Sequence, residues 1–382
     1  MSARIERRCE KISHMETVSS WAEIGERVAE ARQAAGFNQG ELAERLDIDR
    51  TSVVRMEAGE RKISALELFR LAEVLGVPTA HFVARPPAPL LSRRTALDED
   101  SAETARSRFR LDAQLEAHAR DAQWLVEHDF LKPMRDASDL RSDSKDQIDP
   151  IALATRARDV LGLPRGPLPG MADVAERFDL YVVSLPGDGD GASLLLDGYG
   201  VAVVGGDAAP GRRRWTAAHE LGHHLLQDEY NSDLGVSASR DEREGQIDRF
   251  AEALLIPDAD LAGIWSAAGE SSTPRLTLID TAITYRLAWS VVIRKALRLG
   301  LISVEQSRHL RADTPTRGDL LAVAGSEPQS DLAVGTTGTR WRKAALAAWQ
   351  QGFVTRSRVV ELLHGAIRED ELPLRELEDP ES

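Results

Sequence analysis

Apolar residues in the first quarter of the chain recur three and four positions apart, in short runs separated by glycines and helix-capping residues. This pattern predicts five short helices between Trp21 and Phe82. Ile24, Val28 and Ala31 form the face of the first, which stops at Gly36. Asn38 and Glu41 are spaced as a capping box for a second helix carrying Leu42, Ala43 and Leu46. A tight turn, Asp47-Ile48-Asp49, leads to a third helix from Arg50 to Glu57. Its Val53 and Met56 point inward with Ile48, and Arg50, Thr51, Ser52 and Arg55 point outward. Ser64 and Glu67 cap a fourth helix bearing Leu68, Leu71 and Leu75, and a short fifth lies near Phe82.

Beyond the Pro-rich linker at 85–89, helical spacing resumes from about Ala102 to Leu131 through Phe109, Leu111, Leu115, Ala122 and Leu125. A polar stretch, Arg135 to Gln147, follows. From Asp149 the pattern predicts a helix ending at Gly162 and another from Met171 to Phe178. Strands are then predicted at Leu180–Leu185, Ser193–Leu196 and Val201–Val204, the first two joined by a Gly-Asp-rich turn. Trp215, Ala218, Leu221, Leu225 and Leu226 mark an amphipathic helix, and Ile247, Phe250, Ala251, Leu254 and Leu255 mark another that Pro257 ends. Two helices over 276–302, a flexible stretch near 325–339 and a last helical pair over 341–366 complete the chain. The expected class is mainly α with a small β-sheet (α+β), in four parts: 19–85, a linker with one helix at 86–148, 149–258, and a helical C-terminal region at 259–375.

The helix through Trp215 carries the densest chemistry. In His219-Glu220-Leu221-Gly222-His223 the histidines are four residues apart, so both imidazoles sit on one face and can reach one tetrahedral metal ion. Glu220 sits one residue further round, placed as a general base for a metal-bound water rather than as a ligand. A third protein ligand is required, and Glu244 on the next helix supplies it, with Asp241, Glu242 and Glu252 as competitors. Asp248, one turn beyond Glu244, is placed to orient a ligand histidine through its second nitrogen. His224 falls on the wrong face. The three arginines at 212–214 either dock an acidic substrate or anion or form a solvated helix start.

This text resembles the ImmA/IrrE metallo-endopeptidases, zinc proteins that act on repressors. The matching stretches are Arg212 through His223, the run from Glu244 through Asp248, Phe250 and Ala251, and the Leu-Leu-Ile-Pro ending at Pro257. Gly205 and Asp248 stand where that family often carries Asn. The resemblance implies a zincin-like domain with one Zn2+ per chain held by His219, His223 and Glu244, Glu220 as catalytic base, and Asp248 behind a ligand.

Upstream, two short helices joined by a three-residue turn are the layout of a helix-turn-helix, whose second helix enters the major groove. Gln39, Leu42 and Ala43, with Glu57-Ala58-Gly59, resemble the XRE family of DNA-binding domains, although Asp47 stands where that family commonly has Gly. The resemblance implies double-stranded operator DNA as partner, Gln39, Arg50, Thr51, Ser52 and Arg55 as contacts, and a homodimer on paired half-sites. Residues 19–85 hold nine Lys and Arg against eleven Asp and Glu, a net of −2, so binding rests on local cations at Arg50, Arg55, Arg61 and Lys62 rather than on bulk charge.

Composition narrows the rest. A net charge of −14 over 382 residues argues against a membrane-surface or bulk nucleic-acid role. The single cysteine, Cys9, cannot form an internal disulfide and fits a reducing cytoplasm. No run approaches the ~20 apolar residues of a membrane span. The expectation is a cytoplasmic transcriptional regulator whose zinc domain hydrolyses a peptide bond in a repressor or in itself. The alternative is a zinc domain that senses or dimerises without hydrolysis.

Overall fold

The structure, a computed structural model, describes residues 18–84, 90–93, 102–134, 149–187, 191–226, 237–269, 273–325 and 329–375. The Pro-rich linker at 85–89, the polar stretch at 135–147 and the middle of the Gly-Asp turn lie outside them. The chain divides into two units, one of Met1–Pro89 and Thr95–Arg120, the other of Leu90–Arg94 and Asp121–Ser382.

In the first unit the caps set the helices: α1 (Trp21–Ala34), α2 (Gln39–Leu46), α3 (Arg50–Glu57), α4 (Ala65–Leu75) and α5 (Ala80–Val83). Asn38 and Ser64 each form a complete capping box, with Glu41 and Glu67, and Asp49 accepts from the Ser52 amide. The turn between α2 and α3 requires one left-handed residue, and Asp47 takes it at φ 55. Aspartate tolerates that conformation better than most side chains, which is how the turn closes where the family commonly uses glycine. Val28, Leu42, Val53, Met56, Leu71, Leu75 and Phe82 form the core, joined by Ala113 and Phe109 from α6 (Ala102–Glu127). The first half of the helix expected in a linker is therefore part of this unit's core.

The second unit is built on a four-stranded sheet in the order β1-β3-β4-β2: β1 (Leu90–Arg93), β2 (Leu180–Leu185), β3 (Gly191–Leu195) and β4 (Gly200–Gly205). β2 runs parallel to β4, and β3 is antiparallel to both β4 and β1. Around it lie α7 (Pro150–Val160), α8 (Met171–Glu176), α9 (Pro210–Leu226) and α10 (Ser237–Leu255). They are followed by α11 (Asp258–Ala268), α12 (Pro274–Tyr285), α13 (Trp289–Arg298), α14 (Val304–Ala312) and α15 (Arg317–Ala324), and α16 (Thr339–Gln350) and α17 (Arg356–Leu362) come last. One apolar core runs from Leu153 to Leu332 and includes Phe178, Trp215, Leu225, Phe250, Leu278 and Val292, so it does not divide at residue 258.

The stretch expected to be flexible is tied down from residue 329 onward. Gly335 and Thr336 exchange backbone hydrogen bonds with Ser184 on the outer edge of β2, and Leu332 and Thr337 are buried. Buried Glu176 accepts from the amides of Arg340 and Trp341 at 2.7 and 2.8 Å, and Asp173 accepts from Thr339, so two carboxylates of α8 cap α16. Burial raises the pKa of Glu176, against the pull of those amides. The small polar residues of this stretch hide its order, because its partners in the rest of the unit lie more than 115 positions away.

Arg213 and Arg214 have a structural role. Arg214 is fully buried, ion-paired with Asp331 and donating to the carbonyls of Leu168 and Pro169; Arg213 donates to the carbonyls of Gly206 and Asp331. Burial lowers the pKa of Arg214 and the Asp331 carboxylate opposes that shift. Neither guanidinium is available to dock an acidic substrate, and only Arg212 of the three is exposed.

Candidate metal centre and nucleic-acid interface

His219, Glu220 and His223 lie on α9, which packs against α10 with the β-sheet on its other side. The close crossing of the two helices depends on Gly222. A Cβ there would stand 2.9 Å from Ile247 Cγ2 and 3.0 Å from Phe250 Cδ1. The approach places Glu244 and Asp248, one turn apart on α10, over the two histidines.

His219 Nδ1 donates to Asp248 Oδ1 at 3.0 Å, which leaves Nε2 with its lone pair outward. That Nε2 lies 3.1 Å from His223 Nε2 and 3.2 Å from Glu244 Oε2, and His223 Nε2 is 3.8 Å from Glu244 Oε1. Among the described residues, His219, His223 and Glu244 form the one group whose ligand atoms converge on a single point. Ligands about 2.0–2.1 Å from a tetrahedral zinc lie about 3.3 Å from one another, so these separations fit a two-histidine, one-carboxylate site. The side chains of both histidines are nearly fully buried and that of Glu244 is 26% exposed, which leaves the acidic side of the site open.

Glu220 is fully buried, and a buried carboxylate requires hydrogen bonds. Ser193 on β3 supplies one, its Oγ donating to Glu220 Oε2 at 2.7 Å, while Oε1 has no hydrogen-bond partner among the described residues. Gly191, two residues earlier on the same strand, lets β3 lie close to the helix: a Cβ there would meet Thr216 Cγ2 at 2.5 Å and Glu220 Oε1 at 2.9 Å. Ser193 has no counterpart in the sequence reading. The strand pattern locates it, but nothing in the sequence links a strand serine to a glutamate 27 residues later.

Two of the competing ligands, Glu242 and Glu252, are placed elsewhere. Glu252 is buried against Arg294 and Arg298, Glu242 is exposed, and the side chain of Asp241 lies outside the described set. His224 points away from the site, its Nε2 donating to the Phe178 carbonyl at 2.8 Å.

On α3 of the first unit, Arg50, Thr51 and Arg55 are exposed, as expected. Val54 joins them at 41% exposure, an apolar position the sequence reading left out. Ser52 is occupied in capping: its amide and its Oγ both donate to Asp49, at 2.8 and 2.7 Å, which holds the Asp49 carboxyl below the usual carboxylate range. Gln39 is half-buried, and its Nε2 donates at 2.8 Å to Glu57, which also pairs with Arg32. Arg61 pairs with Glu67, so its charge is partly answered within the unit.

Two segments of the chain match known families. Residues 28–82 match the helix-turn-helix family, and residues 175–285 match the IrrE N-terminal-like domain family. The chain fuses an XRE-type helix-turn-helix to an IrrE/ImmA-like metallopeptidase-family domain, and the first of these makes it a DNA-binding regulator. Neither the curated proteins nor the solved structures contain a match to the chain. Among the described residues no single helix is long and apolar enough to cross a membrane.

Proposed function

We propose that this regulator carries a working zinc endopeptidase, which hydrolyses a peptide bond in a repressor or in the chain itself. The observation that carries the reading is the meeting of His219 Nε2, His223 Nε2 and the Glu244 carboxylate beside a glutamate held by one oxygen. His219, His223 and Glu244 would hold the ion, and Asp248 fixes the tautomer of His219 so that Nε2 is the ligand atom. Zinc at such a site lowers the pKa of bound water and polarises a carbonyl. Ser193 keeps Oε2 of Glu220 engaged, so Oε1 is the atom that takes the proton from water and passes it to the leaving amine. The DNA-binding unit would meet double-stranded operator DNA through Arg50, Thr51, Val54 and Arg55, as a homodimer on paired half-sites. Gln39 would contribute at the edge of the interface, since its amide nitrogen is engaged by Glu57.

A second reading is favoured by the complete burial of Glu220: a zinc domain that senses or dimerises without hydrolysis. Glu220→Gln separates the two, because the ligands stay while the base is lost. Regulation in cells should fail in that variant if hydrolysis is the output. Unchanged regulation would leave the sensor reading.

A further inference from the structure

The two outer edges of the sheet are closed in different ways. Beyond β2, Gly335 and Thr336 bond to Ser184, and Arg213, Arg214 and Met171 hold Asp331 close by. Beyond β3 the cover is β1, four residues long and the shortest strand of the four. It pairs antiparallel in the register Leu90↔Leu195, Leu91↔Leu194, Ser92↔Ser193 and Arg93↔Ala192. Leu90–Arg94 is also the one stretch before Asp121 that belongs to the second unit; the chain on either side of it belongs to the first.

β3 is the strand nearest the chemistry. Ser193 holds Glu220 from it, and Gly191 lies against Glu220 and Thr216. Ser92 stands opposite Ser193, so the backbone of β1 passes one strand spacing, about 4.8 Å, from the residue that orients the base. An uncovered edge here would offer a row of amides and carbonyls to any extended chain, and such a ladder binds peptides largely through their backbones.

We propose that Leu90–Arg93, paired on the outer edge of β3, acts in cis as a tethered competitor that withholds that edge from an extended peptide. The proposal rests on the peptidase reading above, for which it names the substrate conformation and a built-in restraint. A tethered segment competes at an effective concentration of order millimolar, so an incoming peptide of similar affinity gains little until the tether lets go. Release of Leu90–Arg93 would free the edge on which a substrate strand is laid beside Glu220.

The test uses the full chain carrying Glu220→Gln, with and without a further replacement of the strap (Leu90→Gly, Leu91→Ser, Ser92→Gly, Arg93→Ser). Hydrogen exchange is followed at the β3 amides that face β1. Binding is followed with a fluorescent synthetic peptide of residues 88–95. The strapless chain should exchange those amides at least tenfold faster, should bind the peptide at least tenfold more tightly than the strapped chain, and should regain slow exchange once the peptide is bound. Equal exchange and equal peptide affinity in the two chains would overturn the proposal. Leu91→Pro, a single change to the ladder, gives the same readouts if the fourfold replacement does not fold. Zinc content and hydrolysis measured on the same chains with Glu220 restored keep the two readings apart. A strap that yields to peptide in a chain that never hydrolyses would sink the peptidase reading and leave the docking edge. Hydrolysis with an edge that does not respond would sink only the strap.

Discussion

The hydroxyl of Ser193 donates to Oε2 of Glu220 at 2.7 Å, and both side chains are buried. This bond joins the sheet to α9 and leaves Oε1 as the carboxylate oxygen with no hydrogen-bond partner among the described residues. Ser193→Ala should keep the zinc content of the wild type while lowering kcat for peptide hydrolysis by roughly 10- to 100-fold, the effect of losing a bond worth about 1–3 kcal/mol to a buried charge. Stopped hydrolysis assays beside metal analysis check it. A fall in bound zinc would show that Ser193 acts on the fold of the site instead.

Gly222 sets the distance between α9 and α10. Gly222→Ala places a methyl within 3.0 Å of Ile247 and Phe250, so one helix must shift and carry Glu244 away from the histidines. The expected cost is about 1–3 kcal/mol of stability, as for other overpacked cores, together with weaker zinc binding. Thermal unfolding with and without added zinc measures both, and wild-type affinity for zinc would mean that the helix spacing is not what assembles the ligands.

Among the proposed DNA contacts, hydrogen bonding within the unit separates the exposed side chains from the engaged ones. Arg50→Ala and Arg55→Ala should each weaken operator binding by about 1–3 kcal/mol while leaving the unit folded, because both side chains are exposed on α3. Ser52→Ala should instead cost up to about 1 kcal/mol of unfolding stability and change base preference little, since its hydroxyl is spent on Asp49. Binding titrations on a selected operator, at fixed salt, distinguish them. Loss of base preference in Ser52→Ala would return that residue to the reading set.

Much of this was legible from the order of residues, because its causes are local. Capping boxes at Asn38 and Ser64, the spacing of His219 and His223, and the stripe from Ile247 to Leu255 are each written within one or two turns of helix. What escaped has its cause far off in sequence. Ser193 meets Glu220 across a strand-helix interface, Asp331 receives Arg214 from 117 residues upstream, and Phe109 joins a core begun at Val28. Periodicity shows that such a residue is inward and is silent about what it meets. The strand at Leu90–Arg93 was hidden for another reason: four residues next to a Pro-rich linker carry no period that distinguishes a strand from a connection.

His81 gives the first unit a pH dependence. It is buried between the rings of Phe82 and Phe109, and burial, with the charges of Arg27 and Arg120, lowers its pKa from 6.5 to about 4. Below pH ~6.5 the unfolded chain takes up a proton that the folded unit refuses, so stability falls with pH through that window and levels off near pH 4. The loss attributable to His81 is on the order of 2–3 kcal/mol. Urea unfolding of wild type and His81→Phe between pH 7 and 4 reads it as a difference in slope. Parallel curves for the two proteins would contradict it.

The central claim is that His219, His223 and Glu244 form one metal site, and elemental analysis of metal per chain tests it most directly. Wild-type protein dialysed with zinc at neutral pH should hold about one zinc, while His219→Ala and Glu244→Ala, handled alike and still folded, should hold almost none. Wild-type protein without tightly bound metal, or a Glu244→Ala chain that keeps a full equivalent, would contradict the site as assembled here.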